Sequence, residues 1–290
     1  MKRYEITWPT LNSASYAKTL HGLVLTPDQI RPGTGAMLFS HGWGGSRYQH
    51  EDKMEAAAEA FDLVCLAVEY RQSGYDFDPV TGSGWQVPYD ASFMQVFDVL
   101  NGLRRILALY PAVDRQRLFH WGGSQGGHLA LLGACYAPQT FAWVYATSPV
   151  SHLGAAMQEW AGRAFADYEL LARDVRHLAS QFQCPVWLEH GTADPVVPWE
   201  EHTGELDRRL RALGKEVQTV IHAGGDHGLQ PITDRLATFR ARAPEPLMQR
   251  RRAGLDDFTA GRVVRLACGS RTLVIDWSRP PTDMGLFTWE

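Results

Sequence analysis

Cysteine is scarce in this chain and scattered: Cys65, Cys135, Cys184 and Cys268 are the four in 290 residues. No two have the spacing of a metal-binding pair, and in a chain this long they read as free, buried thiols rather than as a disulfide framework. Eleven histidines are present, yet there is no His-Glu-x-x-His string and no His–Cys cluster, so neither a metal nor any other cofactor is expected. An excess of charge is lacking too. The formal net charge is −4, which gives no electrostatic footing for a nucleic-acid partner, and the run Arg250–Arg252 reads as a solvated face. No apolar stretch approaches the roughly eighteen residues of a membrane span. The opening MKRYEITWPT lacks the apolar centre of a signal peptide, so no membrane partner and a cytoplasmic location are the expectations.

What is present is a rhythm. Short apolar runs rich in β-branched and aromatic residues (LHGLVL, GAMLFSH, LVCLAVEY, RLFHWG, FAWVYATS, CPVWLEHG and EVQTVIHA) alternate with helical patterns over 52–60, 92–109, 125–135 and 200–213. Near-continuous apolar strands separated by helices predict an α/β fold: a mostly parallel sheet buried on both faces by helices. Residues 1–242 read as one domain. After the APEP break, residues 243–290 read as an extension packed on it, a β-hairpin turning near Gly269 and Ser270. One loop, 72–89, is long enough and rich enough in Gly, Pro and aromatics to suggest a functional role.

Gly122-Gly123-Ser124-Gln125-Gly126 fits G-x-S-x-G, follows a predicted strand and opens a predicted helix. A glycine-rich turn with an incidental serine would also fit the five residues taken alone. In a nucleophile elbow, Gly122 and Gly126 remove side chains that would strike neighbouring backbone, while Gly127 and Ala130 let the helix pack closely. A serine hydroxyl needs a base, and that base needs an orienter. The acid belongs after a late strand, where TADPVVP supplies Asp194, and one strand further on GGDHG supplies His227. Both fall at the carboxyl edge of the predicted sheet, where open α/β sheets bind ligands. His190 and His222 lie within predicted strands and read as satisfied structural residues; Asp226 leaves the same tight turn as His227 and is a poor orienter. The turn HGWGG ends an earlier strand and is suited to an oxyanion hole, with the backbone N–H groups of Trp43 and Gln125 as donors and His41 holding the loop.

These residues resemble the α/β-hydrolase superfamily, and more narrowly the catalytic domain of the prolyl oligopeptidase family with its dienelactone hydrolase and acetyl-xylan esterase relatives. VEYRQSG, VDRQRLFHWGGSQGGHLAL, HGTADPVVPWEE and GGDHGL carry the likeness, from about His21 to Arg240. The resemblance implies Ser124, Asp194 and His227 as the catalytic triad and a structural contact between Asp114 and Arg117. Large peptidases of that family carry a propeller before the hydrolase, whereas about twenty residues precede the first family-like strand here. That departure favours a small acyl ester as substrate. Three alternatives stay open: a peptidase acting on short peptides, an acyltransferase, and a hydrolase fold retained as a non-catalytic binding protein. Trp43, Tyr75, Trp85, Trp160, Phe165 and Tyr168 are candidates for an aromatic pocket, and the oligomeric state is undetermined by the sequence.

Overall fold

Strands that are apolar along their whole length need cover on both faces, and the sheet they form is arranged to give it. The computed structural model describes residues 1–12 and 14–290. Along the chain come β1 (Lys2–Pro9), β2 (Thr19–Thr26), β3 (Gly35–Ser40), α1 (Glu51–Phe61), β4 (Leu63–Glu69), α2 (Phe93–Leu109), β5 (Leu118–Gly123), α3 (Gln125–Tyr136) and β6 (Trp143–Thr147). They are followed by α4 (Ala155–Ala161), α5 (Asp167–Ala172), β7 (Val186–Gly191), α6 (Glu205–Ala212), β8 (Val217–His222), α7 (Arg235–Arg242), α8 (Pro244–Gln249) and α9 (Asp257–Ala260). The chain closes with β9 (Val263–Cys268), β10 (Arg271–Asp276) and β11 (Phe287–Trp289).

The eight strands of the main sheet lie in the order β1-β2-β4-β3-β5-β6-β7-β8. From β4 onward neighbours are parallel; β1 and β2 join antiparallel at one edge. The two-residue period of a strand divides β3 between two cores. Ala36 and Leu38 face the side covered by α2 and α3 with Leu100, Leu103 and Leu132. Met37 and Phe39 face the side covered by α1, α7 and α8 with Met54, Phe239 and Leu247. The α/β-hydrolase architecture expected from the sequence is therefore the observed fold, with all seven predicted strands and the four predicted helices present.

Four details depart from the expectation. β1 escapes the sequence pattern because it is an edge strand whose charged residues alternate with half-buried ones. The predicted helix over 200–213 begins as one wide turn, Glu200–Gly204, before α6 proper. The C-terminal hairpin is found, turning at Gly269 (φ +66°) and Ser270, but β11 adds to β10 as a third antiparallel strand. Three residues are too few to write a strand pattern. This small sheet is part of the main core: Trp277 Nε1 donates to Tyr136 O at 2.9 Å. Its last strand packs on the start of α2, with Phe287 edge-on to Phe93 (5.2 Å between centroids) and Trp289 stacked on it (5.8 Å). APEP does not end the helical layer, since Pro244 takes the first position of α8, where a missing N–H costs nothing.

Candidate active site

Ser124 sits between β5 and α3 with φ 57° and ψ −124°, a conformation costing an L-residue of order 1–3 kcal/mol. Its surroundings leave no alternative. The Ser124 N–H donates to Thr147 O at 2.9 Å, and Ser124 O accepts from the N–H groups of His128 (3.1 Å) and Val150 (3.3 Å). A Cβ on Gly122 would lie 2.1 Å from Gly126 O, and one on Gly126 would lie 1.9 Å from Ser40 O. One on Gly127 would meet Pro149 Cβ at 2.9 Å. The glycines thus permit main chain to touch main chain, and the turn presents a partly exposed serine at the carboxyl edge of the sheet.

The acid loop and the histidine loop are bolted together by their backbones. Thr192 N–H donates to His222 O at 3.0 Å and Ala193 N–H to Gly225 O at 2.9 Å. Gly191 passes so close to Gly225 that a Cβ there would lie 2.1 Å from its carbonyl oxygen. Asp194 Oδ1 accepts from the N–H groups of Val196 and Val197, both at 2.9 Å, the usual way an Asp organises a turn. Its Oδ2 accepts from His227 Nδ1 at 2.7 Å. The Asp194 side chain is completely buried while His227 is partly exposed. Burial alone would raise the Asp194 carboxyl; the hydrogen bonds from His190, His227 and the Val197 N–H outweigh it and hold the group well below the ordinary carboxylate range. With its Nδ1–H hydrogen-bonded to the Asp194 carboxylate, the His227 imidazole turns the lone pair of Nε2 away from the acid. Among the described residues Ser124 Oγ is not hydrogen-bonded to that nitrogen.

Two partners of this half escape the sequence. His190, read there as a satisfied strand residue, is buried and satisfied, but its partner is the acid. His190 Nε2 faces Asp194 Oδ2 at 3.0 Å and Val197 O at 2.8 Å. Both are acceptors, so Nε2 carries the proton, and Nδ1 meets Thr203 Oγ1 at 2.7 Å. The available signal was a histidine ending a buried strand four residues before the acid, close enough for the turn to fold back on it. Arg235, at the start of α7, donates from Nη2 to His227 O at 2.5 Å. A Cβ on Gly123 would lie 3.3 Å from its guanidinium, so this arginine connects the histidine loop to the residue before Ser124. His222 pairs with Glu189 at 2.8 Å, and Asp226 Oδ1 caps its own turn by accepting from Gly228 and Gln230 N–H.

The HGWGG turn lies against the nucleophile: a Cβ on Gly42 would be 3.6 Å from Ser124 Cβ. Gln125 opens α3, so its N–H is one of those that no helical carbonyl can accept. His41 is buried, with Nδ1 2.8 Å from Gly42 O, and burial pushes its pKa down to about 4. Of the aromatic candidates, Trp43 packs edge-on against Trp85 (5.9 Å) and Trp160 (6.1 Å), and Phe165 joins the same cluster with Val150 and Met157. Tyr75 instead packs on Tyr48, and Tyr168 on Trp289, away from it. The 72–89 loop is pinned to this cluster, with Gly84 N–H on Gly44 O and Tyr89 N–H on Ala161 O, both at 2.8 Å. Among the described residues no group of three or more His, Cys, Asp and Glu is arranged to hold a metal, and no helix is long and apolar enough to cross a membrane.

Solved structures with this fold include an acylaminoacyl peptidase from Pyrococcus horikoshii, 18% identical with a TM-score of 0.68 over 88% of this chain and 43% of that one. A puromycin-hydrolyzing peptidase from Mycobacterium tuberculosis is 17% identical, with a TM-score of 0.65 over 85% of this chain and 38% of that one. Thermogutta terrifontis esterase 2 is 23% identical, with a TM-score of 0.63 over 84% of this chain and 92% of that one. The chain thus spans less than half the length of the peptidases it matches. Among curated proteins none matches the sequence. The family model that does match covers residues 90–242, a span that holds Ser124, Asp194 and His227 and amounts to just over half the chain. The protein belongs to the prolyl oligopeptidase family.

Proposed function

We propose that the protein is a serine hydrolase that cleaves a small carboxylic ester through an acyl-enzyme on Ser124. The observation that carries this reading is the 2.7 Å hydrogen bond from His227 Nδ1 to a buried, ionised Asp194, with Ser124 on a strained elbow at the same sheet edge. His227 Nε2 takes the Ser124 proton as the hydroxyl attacks the carbonyl carbon; Asp194 fixes the tautomer and stabilises the imidazolium. The Trp43 and Gln125 N–H groups receive the negative charge that develops on the carbonyl oxygen. His227 then gives its proton to the leaving alcohol and activates the water that releases the acid. An ester is proposed as substrate after the likeness to the Thermogutta esterase.

One solved structure of that esterase is phosphorylated by paraoxon, and the same chemistry supplies a test. A fluorophosphonate is expected to label the wild type at Ser124, and Ser124→Ala to be unlabelled and to lose about 10⁵-fold or more in kcat on p-nitrophenyl acetate with an unchanged circular dichroism spectrum. Hydrolysis by Ser124→Ala at the wild-type rate would end this reading. Short-chain acyl esters set beside aminoacyl-anilides then decide substrate class: faster turnover of the anilides makes the protein a peptidase.

A further inference from the structure

The carbonyl of Gly42 and the N–H of Trp43 are the two ends of one peptide unit, and in a planar trans unit they point in opposite directions. Whatever holds the carbonyl therefore aims the N–H. Gly42 O accepts from His41 Nδ1 at 2.8 Å and from the Gly45 N–H at 3.0 Å, with the Tyr70 hydroxyl 3.3 Å away. The preceding peptide is held at both ends as well. Its N–H, on Gly42, donates to Gln49 Oε1 at 2.9 Å, and its carbonyl, on His41, lies 3.0 Å from the Tyr70 hydroxyl. Tyr70 directly follows β4 and is completely buried, with its ring stacked on that of His41 at 4.0 Å between centroids.

The same hydroxyl lies 3.2 Å from Gln125 Oε1. Neighbours fix which way this amide faces. Gln125 Nε2 donates to Gln95 Oε1 at 2.8 Å; Gln95 Oε1 also takes the Ser92 N–H at 2.8 Å, while Gln95 Nε2 donates to Arg71 O at 3.0 Å. Gln125 Oε1 is therefore turned to the phenols and accepts from Tyr89 at 2.9 Å. A phenol has one proton, and three acceptors surround that of Tyr70. Its hydroxyl is where the turn presenting the Trp43 N–H meets the residue presenting the Gln125 N–H. We propose that Tyr70 is a positioning residue of the oxyanion hole, fixing the spacing of the two backbone donors without touching substrate. The inference rests on the acyl-transfer reading above. Donors of this kind work because they do not have to move as charge develops, and without the phenolic hydroxyl the His41 carbonyl loses its donor in a buried site.

Tyr70→Phe keeps the ring and its stack on His41 and deletes only the hydroxyl. On p-nitrophenyl acetate, kcat is expected to fall about 10- to 100-fold with KM within about twofold, less than the loss of a whole oxyanion donor. The affinity of a trifluoromethyl ketone, which places an oxyanion in the hole, should fall by the same factor as kcat/KM. The pH dependence of kcat/KM should stay in place, because Asp194 and His227 are untouched. A loss of rate with undiminished ketone affinity, a displaced pH profile, or wild-type values throughout overturns the proposal. If Tyr70→Phe does not fold, Gln125→Met cuts the same bridge from the helix side and is held to the same three readouts. Ser124→Ala separates the two claims: an active Ser124→Ala removes the acyl-transfer reading and this one with it. An inactive Ser124→Ala beside a wild-type-like Tyr70→Phe removes only the role of Tyr70.

Discussion

The two halves of the candidate site share close backbone contacts but set their reacting side chains by different means. Around Asp194 and His227 the two loops also interlock, at Gly191 and Gly225, but the reacting side chains are set by hydrogen bonds: the carboxylate takes two backbone N–H groups and two imidazoles, and a half-buried arginine holds the histidine's carbonyl. Around Ser124 the restraint is main chain against main chain, with Gly122, Gly126 and Ser40 closer than any side chain would allow. Hydrogen-bonded groups yield in graded steps when one partner is removed. Interlocked backbones have no rotamer to change, so they tolerate substitution or fail outright.

Gly126→Ala is the severest way to break that contrast. A methyl group 1.9 Å from the Ser40 carbonyl oxygen cannot be accommodated by moving a side chain. A loss of more than about 4 kcal/mol in urea unfolding, or no folded protein at all, is the expected result. An alanine variant as stable as the wild type would show that the elbow is not locked by its glycines.

Acid stability comes next in size. Burial pushes His41 and His128 down to about 4 and His120 and His202 to about 3, from an ordinary 6.5. The unfolded chain therefore binds protons below pH 6.5 that the native protein refuses, and stability falls as the pH drops from about 6.5 toward 4. Each histidine contributes up to about 1.4 kcal/mol per pH unit in that window. The stability due to Asp194, whose carboxyl is depressed, is lost only at lower pH, below the unfolded carboxylate value of about 3.9. Three of the four histidines (His41, His120 beside Ser40, and His128 on α3) belong to the serine half. A melting temperature that drops between pH 7 and 5 is expected, and one that stays level would mean these rings are not held neutral.

The smallest effect tests the graded half. His190→Phe removes one hydrogen bond to Asp194, about 1.5–3 kcal/mol for a bond to a charged group, so kcat/KM on an activated ester should fall by at most about 10- to 150-fold. Fluorophosphonate labelling should still occur at Ser124, only more slowly. Unchanged kinetics would mean that His190 orients nothing.

The sheet and the positions of Ser124, Asp194 and His227 at its strand ends were legible because buried parallel strands write unbroken apolar runs. The turns after them must also carry Gly, Asp and Pro for local reasons. What the sequence concealed were contacts that no local pattern encodes. His190 meets Asp194 only because the turn between them folds back, and Arg235 reaches Gly123 across more than a hundred residues. Tyr70 reads simply as the last apolar residue of a strand. Its hydroxyl becomes interesting only once Gln125, on a different element, is seen beside it.

The packing of β11 on α2 bears on how the chain is made. Ser92, next to Phe93, lies 3.0 Å from His128 Nδ1 and 3.4 Å from Gln125 Nε2, so the first turn of α2 supports the helix that follows the serine. Phe287 and Trp289, which cover Phe93, leave the ribosome some sixty residues after His227. A nascent chain that already contains Ser124, Asp194 and His227 therefore still displays Phe93 and Phe97 without that aromatic cover. That face of α2 is closed only when the last strand has been made.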